Sequence, residues 1–416
     1  MEAASDSRRR LAAMESIASP GGSWRRTARA AGLLAPDDEP RLTIFAEMSA
    51  LASATGAINL GQGFPDEDGP AQVVEAARRA IADGRNQYPP GIGVPELREA
   101  IAEHQARFYG IALDPDREVL VTAGATEAIA ASILALTDEG DEVVVVEPYY
   151  DSYAAVTELA RARLRTVPVR APAFVPDPDE LAEAVTDRTR IILVNSPHNP
   201  SGAVWPVEVL ERVVALAYEH DAIIVTDEVY EHLVFDGRHA PIASLPGGFD
   251  RTLSISSGGK TFSTTGWKVG WVSGPAPLVR AVTAVKQFLT FVNAAPLQPA
   301  IAVGLRLPDA VFEEAAAALR RKRDLLSDGL EVAGFTVHRP AAGYFVVADA
   351  APLGVEDAAE FARRLPALAG VVGVPVSALV SEARRDEYAS LMRFAFCKRD
   401  DVLERAAAQL ADLRLA

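Results

Sequence analysis

Three side chains of unlike chemistry stand at nearly even intervals along this 416-residue chain. Asn199, Asp227 and Lys260 are 28 and 33 residues apart, one strand–helix–strand unit each. A lysine amine can attack a carbonyl and later carry a proton. A carboxylate can hold a protonated ring nitrogen, and an amide can donate to an oxygen. Lys260 draws notice because lysine is scarce. Of 41 basic residues only Lys260, Lys268, Lys286, Lys322 and Lys398 are lysine, and the other 36 are arginine. Codon bias accounts for the arginine excess. Arginine cannot shed its proton to become an amine nucleophile, so a retained lysine is a candidate for chemistry.

The elements that must position these residues are legible from pattern. Short β-branched runs occupy 119–122, 143–146, 191–194, 223–226 and 253–255. Helical stretches such as Thr126 to Leu136 and Val207 to His220 separate them. Val94 to Phe108 sets Leu97, Ile101, His104 and Phe108 on one helical face. Continuous apolar strands alternating with helices predict an α/β fold with a parallel sheet covered on both faces. A further strand is expected at Val269 to Ser273. Beyond residue 295 the pattern changes to a helix over Val311 to Glu331, strands near Phe335–His338 and Tyr344–Val347, and a last helix over Asp401 to Leu413. This predicts a smaller α+β unit, with a long helix across 300–331 joining the two. Residues 1–40 lack a clean period and read as a flexible arm in which Met14 is an alternative start.

In an open parallel sheet, ligands bind beyond the carboxyl ends of the strands. Five strand tails should therefore face one crevice: Ala123-Gly-Ala-Thr126, Glu147-Pro-Tyr-Tyr150, Asn195-Ser-Pro-His-Asn-Pro-Ser-Gly202, Asp227-Glu-Val-Tyr230 and Ser256-Ser-Gly-Gly-Lys260. Together they offer a small-residue anion loop, an aromatic platform, an amide, a carboxylate with a phenol, and a lysine. Pyridoxal phosphate needs such a set: a Schiff-base lysine, a carboxylate at the ring nitrogen, a donor near the ring oxygen, a stacking aromatic and a phosphate cradle. Taken singly, each has a plainer reading. A lone Asp after a strand is often a helix cap, a lone Tyr is often packing, and small-residue turns are common.

Composition narrows the alternatives. The 57 acidic residues outnumber the basic ones, for a net charge of −16, which argues against a general nucleic-acid binder. The single cysteine, Cys397, rules out an intrachain disulfide and a multi-cysteine zinc site, and its apolar setting predicts a buried inert thiol. The six histidines show no His-Glu-x-x-His pairing, so no metal is expected. No apolar run approaches the ~18 residues of a membrane span. Arg8-Arg9-Arg10 is followed by no apolar stretch, so no secretory signal is read, and a cytoplasmic location is expected.

Several longer motifs carry a family resemblance: Asn59-Leu-Gly-Gln-Gly-Phe-Pro-Asp66, Asn86-Gln-Tyr-Pro89, Asn195-Ser-Pro-His-Asn-Pro200, Asp227-Glu-Val-Tyr230 and Ser257-Gly-Gly-Lys-Thr-Phe-Ser-Thr-Thr-Gly-Trp-Lys268. In combination the chain, from about residue 41 to its end, resembles class I aminotransferases of the fold-type-I pyridoxal phosphate enzymes. The resemblance implies a large cofactor-binding domain over 76–295 with a mostly parallel seven-stranded sheet covered by helices. It also implies a segment 41–75 that packs with the small domain, and a small domain over 296–416. It makes Lys260 the Schiff-base lysine and the proton carrier. Asp227 would pair with the ring nitrogen, and Asn199 and Tyr230 would donate to the ring oxygen. Gly124, Ala125, Thr126, Ser257 and Lys268 would hold the phosphate, with Lys268 where many members carry arginine. Tyr150, rather than Tyr149, would stack on the ring. Tyr88 would reach the phosphate of a neighbouring subunit, which implies a homodimer with shared active sites. Arg393 would grip the substrate α-carboxylate, with Gly63 beside the substrate and Phe45 lining the side-chain pocket.

The resemblance also bears on the reaction. It implies transfer of an amino group from an L-amino acid to a 2-oxo acid, 2-oxoglutarate, by ping-pong chemistry. The nearest subgroup looks like kynurenine, glutamine and methionine aminotransferases together with N-succinyldiaminopimelate aminotransferases. Kynurenine-type members carry an aromatic–histidine pair where this chain has Val292-Asn293. The stretches Asn86–Gly91, Ala123–Ala128 and Ala295–Ala300 look closer to the succinyldiaminopimelate group, so N-succinyl-LL-2,6-diaminopimelate is the expected donor. A cysteine-conjugate β-lyase is the alternative on the same cofactor. A non-catalytic regulator would be expected to lose Lys260 or Arg393, and both are present. The usual Gly-Thr-Tyr-Phe stretch appears as Ala342-Gly-Tyr-Phe345, a change expected to leave the chemistry alone.

Overall fold

The computed structural model describes residues 22–35, 37 and 39–414. Residues 1–21, with Met14 and the arginine run, lie outside the described residues. Among the described residues thirteen strands form three sheets. They are β1 (Ile58–Asn59), β2 (Val119–Thr122), β3 (Glu142–Glu147), β4 (Arg163–Pro168), β5 (Thr189–Asn195), β6 (Ile223–Asp227), β7 (Thr252–Ser257) and β8 (Gly270–Ser273), followed by β9 (Thr336–His338), β10 (Phe345–Asp349), β11 (Val371–Val372), β12 (Val374–Pro375) and β13 (Leu391–Ala395).

The large sheet has seven strands in the order β2-β8-β7-β6-β5-β3-β4. All neighbouring pairs are parallel except those of β8, which runs antiparallel to both β2 and β7. The apolar runs are continuous because both faces are covered. Val143, Val145, Ile191, Leu193 and Val225 join the core on one face, and Val144, Val146, Ile192, Val194 and Ile224 join the core on the other. Strand β4 escapes a reading by apolar runs. Its sequence, Arg-Leu-Arg-Thr-Val-Pro, alternates and ends in proline, as suits an edge strand with one side near water.

The helices sit close to their expected places. Pro95–Tyr109 ends at Gly110, whose φ of 71° is the left-handed cap, and buries Leu97, Ile101 and His104. Gly124–Leu136 and Val207–Glu219 cover the sheet. One expectation needs correction. Residues 24–30, read as part of a loose arm, form the helix Trp24–Ala30, which packs on the helix Ser152–Leu159 with Arg26 Nε 3.7 Å from Glu158. No residue of this helix is fully buried, so it has no apolar stripe for a sequence reading to detect.

The second unit is built on the antiparallel sheet β12-β13-β10-β9. Parallel pairing of β1 with β11 ties residues 58–59 to 371–372, and the helix Ile44–Thr55 packs on Ala358–Ala369. The expected long helix over 300–331 is two helices, Gln298–Leu305 and Asp309–Val332. The first packs on Ala71–Ala82 and Pro95–Tyr109, so its side chains belong to the large-sheet side. The second spans the two cores, with Phe312 in one and Leu326 and Leu330 in the other.

Where Asp309–Val332 crosses the last helix, Asp400–Ala411, Gly329 faces Ala407. A Cβ on Gly329 would stand 2.6 Å from the Ala407 Cβ and 2.8 Å from its Cα. The helices would have to separate. Gly329→Ala should lower stability by up to about 2 kcal/mol net, since overpacking costs about 1–3 kcal/mol and the helix propensity of alanine returns about 1. Equilibrium denaturation by urea reads this, and a raised midpoint would contradict the close packing.

Candidate active site

Parallel pairing of β5, β6 and β7 sets Asn195 opposite Asp227, and Asp227 opposite Ile255. The chains leaving these strands are therefore neighbours by register. Asp227, the last residue of β6, is buried. Its Oδ2 accepts a 2.7 Å hydrogen bond from the Tyr153 hydroxyl, and its Oδ1 accepts from the Val229 N–H at 3.4 Å. Burial pushes its pKa up, and these donors together with the charge of Lys260 pull it back. Tyr153 escaped the sequence reading, which weighed only Tyr149 and Tyr150. Its position one helical turn past Tyr150 was the available signal.

Asn195 shapes the loop that carries Asn199. Its Nδ2 donates to the Asp227 carbonyl at 2.9 Å and to the Pro197 carbonyl at 3.2 Å, while its Oδ1 accepts from the Asn199 N–H at 2.8 Å. The Asn199 Oδ1 in turn accepts from Arg393 at 3.2 Å. That engagement leaves the Asn199 NH2 as the donor for a ligand oxygen.

Lys260 sits on the short helix Gly258–Thr261 that follows β7. Its Nζ donates to the Tyr344 hydroxyl at 2.6 Å, and that hydroxyl donates to the Gly63 carbonyl at 2.7 Å. Burial lowers its pKa to about 8, with the charges of Arg393 and Lys268 pushing the same way and Asp227 opposing. A partly uncharged amine near neutral pH is what a nucleophile and proton carrier requires. The Ala342–Phe345 stretch thus supplies Tyr344 to the lysine and Phe345 to the arginine described below.

At one end of the site the helix Gly124–Leu136 begins. The Lys268 amine lies 3.4 Å from the Thr126 hydroxyl, and a side chain on Gly124 would meet it at 3.0 Å. Ala125 and Ser257 complete this wall. Lys268 is held by its backbone: its carbonyl accepts from Asn293 Nδ2 at 3.1 Å, which also donates to the Thr122 carbonyl at 3.0 Å. Asn293, noticed in the sequence only for what it replaces, fastens this corner. A helix N-terminus beside an ammonium suits a phosphate.

At the other end lies Arg393 on β13, buried. One NH2 group donates to the Gly61 carbonyl at 3.0 Å and the other to Asn199, while Nε has no partner. Its guanidinium carbon is 4.0 Å from the Phe345 ring centre and 5.1 Å from that of Phe45. Burial lowers its pKa to about 10, so it stays charged at neutral pH. Among the described residues no carboxylate comes within ion-pair distance of Arg393 or Lys268. The site thus has one cation at each end with no acid to neutralise it.

A cavity of about 240 Å³ is lined by Gly124, Ala125, Thr126, Tyr150, Asn199, Asp227, Tyr230, Ser257, Lys260 and Lys268, with Tyr153 and Asn195 besides, and Arg393 stands behind Asn199 without lining it. Tyr150 reaches it with its ring edge-on to Tyr153, and Tyr149 does not line it. Tyr230 is buried, with its ring edge-on to Tyr344 and 5.8 Å from the Lys260 amine. Tyr88 stands apart, 80% exposed and against the Phe291 ring. Cys397 is buried as expected, and burial raises its thiol to about 11. The donor set fits pyridoxal phosphate: a carboxylate for a ring nitrogen, a low-pKa lysine, an anion site, and an orphaned arginine for a carboxylate.

Comparison with known proteins agrees with this chemistry. The family described as aminotransferase class I and II matches residues 55–410. A probable N-succinyldiaminopimelate aminotransferase of Mycobacterium tuberculosis is 49% identical over 380 residues, covering 89% of this chain and 96% of that protein. The methionine aminotransferase of Escherichia coli is 38% identical, with the same coverage of each chain. The solved structure of N-succinyldiaminopimelate aminotransferase from Mycobacterium tuberculosis superposes with a TM-score of 0.88 at 47% identity, covering 94% of this chain and 99% of that one. With the family matched over most of its length and near-complete relatives well above 30% identity, the chain belongs to the class I and II aminotransferases, enzymes that move amino groups with pyridoxal phosphate.

Proposed function

We propose that this enzyme takes the amino group from N-succinyl-LL-2,6-diaminopimelate and passes it to 2-oxoglutarate in two ping-pong half-reactions. The observation that carries the choice of donor is the 49% identity to the mycobacterial relative across nearly both full lengths, against 38% for the methionine enzyme.

The side chains divide the work. Bound in the cavity, the cofactor supplies an electron sink for charge developing at the substrate Cα. Arg393 holds the α-carboxylate in a forked pair, relieving a guanidinium that lacks an acid. That grip, with Gly63 and Asn199 beside it, orients the Cα–H toward Lys260. Lys260 provides the amine nucleophile and then carries the proton from Cα. Its contact with Tyr344 keeps the amine aimed, and its depressed pKa lets it take and return the proton near neutrality. Asp227, fixed by Tyr153, holds the ring nitrogen protonated. Asn199 and Tyr230 donate to the ring oxygen, Tyr150 packs on the ring, and Gly124, Ala125, Thr126, Ser257 and Lys268 hold the phosphate. Tyr88 and Phe291 form an exposed ring pair beside the exposed Phe288 and Leu289. This apolar patch supports a homodimer in which Tyr88 reaches the second subunit's phosphate.

A panel of N-succinyldiaminopimelate, methionine and kynurenine with 2-oxoglutarate tests the donor. The first should show a kcat/KM at least about tenfold above the others. Equal rates would sink the assignment, and release of pyruvate and ammonia from a cysteine conjugate at a higher rate would favour the lyase.

Lys260→Ala should cut turnover by about 10²–10⁴-fold or more. In the cofactor-free wild type, the rate of combining with pyridoxal phosphate should follow the neutral amine. Because the Lys260 pKa is lowered to about 8, that rate should climb about tenfold per pH unit below 8 and level off above it. Stopped-flow absorbance reads both limbs. A rate still climbing through pH 10 would mean that the amine is not depressed.

A further inference from the structure

Beside the cavity that holds Lys260 lies a second one of about 600 Å³. Arg393 touches a lining residue of each: it donates to Asn199 of the first and faces the Phe45 ring of the second. Phe45, whose ring faces the Arg393 guanidinium, lines the second cavity, and so does Asp151, whose carboxyl feels the Arg393 charge. A substrate whose α-carboxylate is taken by Arg393 can extend its side chain past Phe45 into this space.

The charges on its wall are not balanced. Arg363 is engaged by Glu47 at 2.6 Å, and burial pushes the Asp151 carboxyl up, toward its neutral form, against the pull of its own helix N–H and of Arg393. Arg41 and Arg385 also line the cavity, and neither guanidinium has a hydrogen bond or ion pair among the described residues. Arg385 is near enough to Tyr149, whose N–H donates to the carbonyl of the lining residue Leu379, to pull down a pKa that burial raises to about 12. Two unengaged guanidinium groups lining the cavity that Phe45 shares suit the end of a side chain that carries acids of its own.

We propose that this cavity is the side-chain subsite and that Arg41 and Arg385 bind the carboxylates at the far end of an amino-acid substrate with an acid-bearing side chain. The inference rests on the amino-donor site stated above and deepens it. The proposed donor ends in two carboxylates, one on its distal carbon and one on the succinyl group, matching two cations. A methionine or kynurenine side chain carries no acid to match them. The sequence reading placed no residue for this task, because two arginines among 36, 344 positions apart, carry no spacing signal.

The test compares wild-type holoenzyme with Arg41→Ala, Arg385→Ala and the double variant. Both arginines are exposed, so folding should be unaffected. Four amino donors are used: N-succinyldiaminopimelate, methionine, 2-aminopimelate, and norleucine, which matches aminopimelate without its distal acid. The expected result is a fall in kcat/KM on the order of ten- to a hundredfold for the two acid-tailed donors in the double variant, carried by KM, with methionine and norleucine within about twofold of wild type. Lysine replacements should recover part of the loss. An equal fall for all four donors, or no fall for any, would overturn the subsite. If the wild type shows no preference for N-succinyldiaminopimelate, the donor assignment fails by itself. The ratio of aminopimelate to norleucine then decides the subsite separately: a preference for aminopimelate lost in the double variant upholds it, and no preference overturns it.

Discussion

A guanidinium buried without an acid to neutralise it is the constraint around which this enzyme is arranged. Burying an unpaired charge is costly unless hydrogen bonds and ring faces replace its water. Arg393 finds those replacements in three separate parts of the chain. The Gly61 carbonyl and Phe45 come from the N-terminal segment, Asn199 from the loop after β5, and Phe345 from β10, paired with β13 in the small sheet. The same contacts that make the charge tolerable hold the two units together around the site. They leave the Nε without a partner and the fork without an acid, as the proposed grip on a substrate carboxylate requires.

The loop that supplies Gly61 and Gly63 is fastened by charge. Lys398 donates to the Phe64 carbonyl at 2.7 Å, Lys322 pairs with Glu67, and the Arg399 N–H donates to Asp66 at 2.7 Å. Tyr344 adds a fourth tie at Gly63. Scarce lysines therefore serve two ends. Lys260 and Lys268 face the cavity, while Lys286, Lys322 and Lys398 donate to carbonyls or a carboxylate where a compact ammonium on a flexible stem can reach. With Arg393 and Lys268 so placed, the Lys260 amine sits among cations in a water-poor site, and that setting lowers its pKa.

Much of the site was legible because it lies at strand ends. A residue that follows an apolar run in a parallel sheet must emerge at the carboxyl edge, so Asn199, Asp227, Tyr230 and Lys260 could be placed in one crevice without coordinates. Residues that act by reaching in from elsewhere had no such marker. Tyr153 reads as an ordinary helix position until its hydroxyl is seen on Asp227. Tyr344 follows a turn at the edge of the small sheet, and Asn293 sits in a loop. His104, Glu231 and His232 also converge, with ligand atoms within 4.8 Å of one another, although their spacing matches no metal motif. Strand β4 and the helix Trp24–Ala30 were missed for a related reason: neither buries enough on one face to leave a periodic trace.

By itself the sequence determined the alternation of strands and helices, the parallel sheet and the chemistry available at its edge. Those follow from local burial patterns and from residue types whose functional groups do not depend on neighbours. Only the tertiary structure decided how that chemistry is tuned. The depressed amine of Lys260, the raised carboxyl of Asp227 and the unneutralised charge of Arg393 come from dehydration and from groups hundreds of residues away along the chain. Electrostatic energy depends on distance and burial in space, and neither is written in the order of residues.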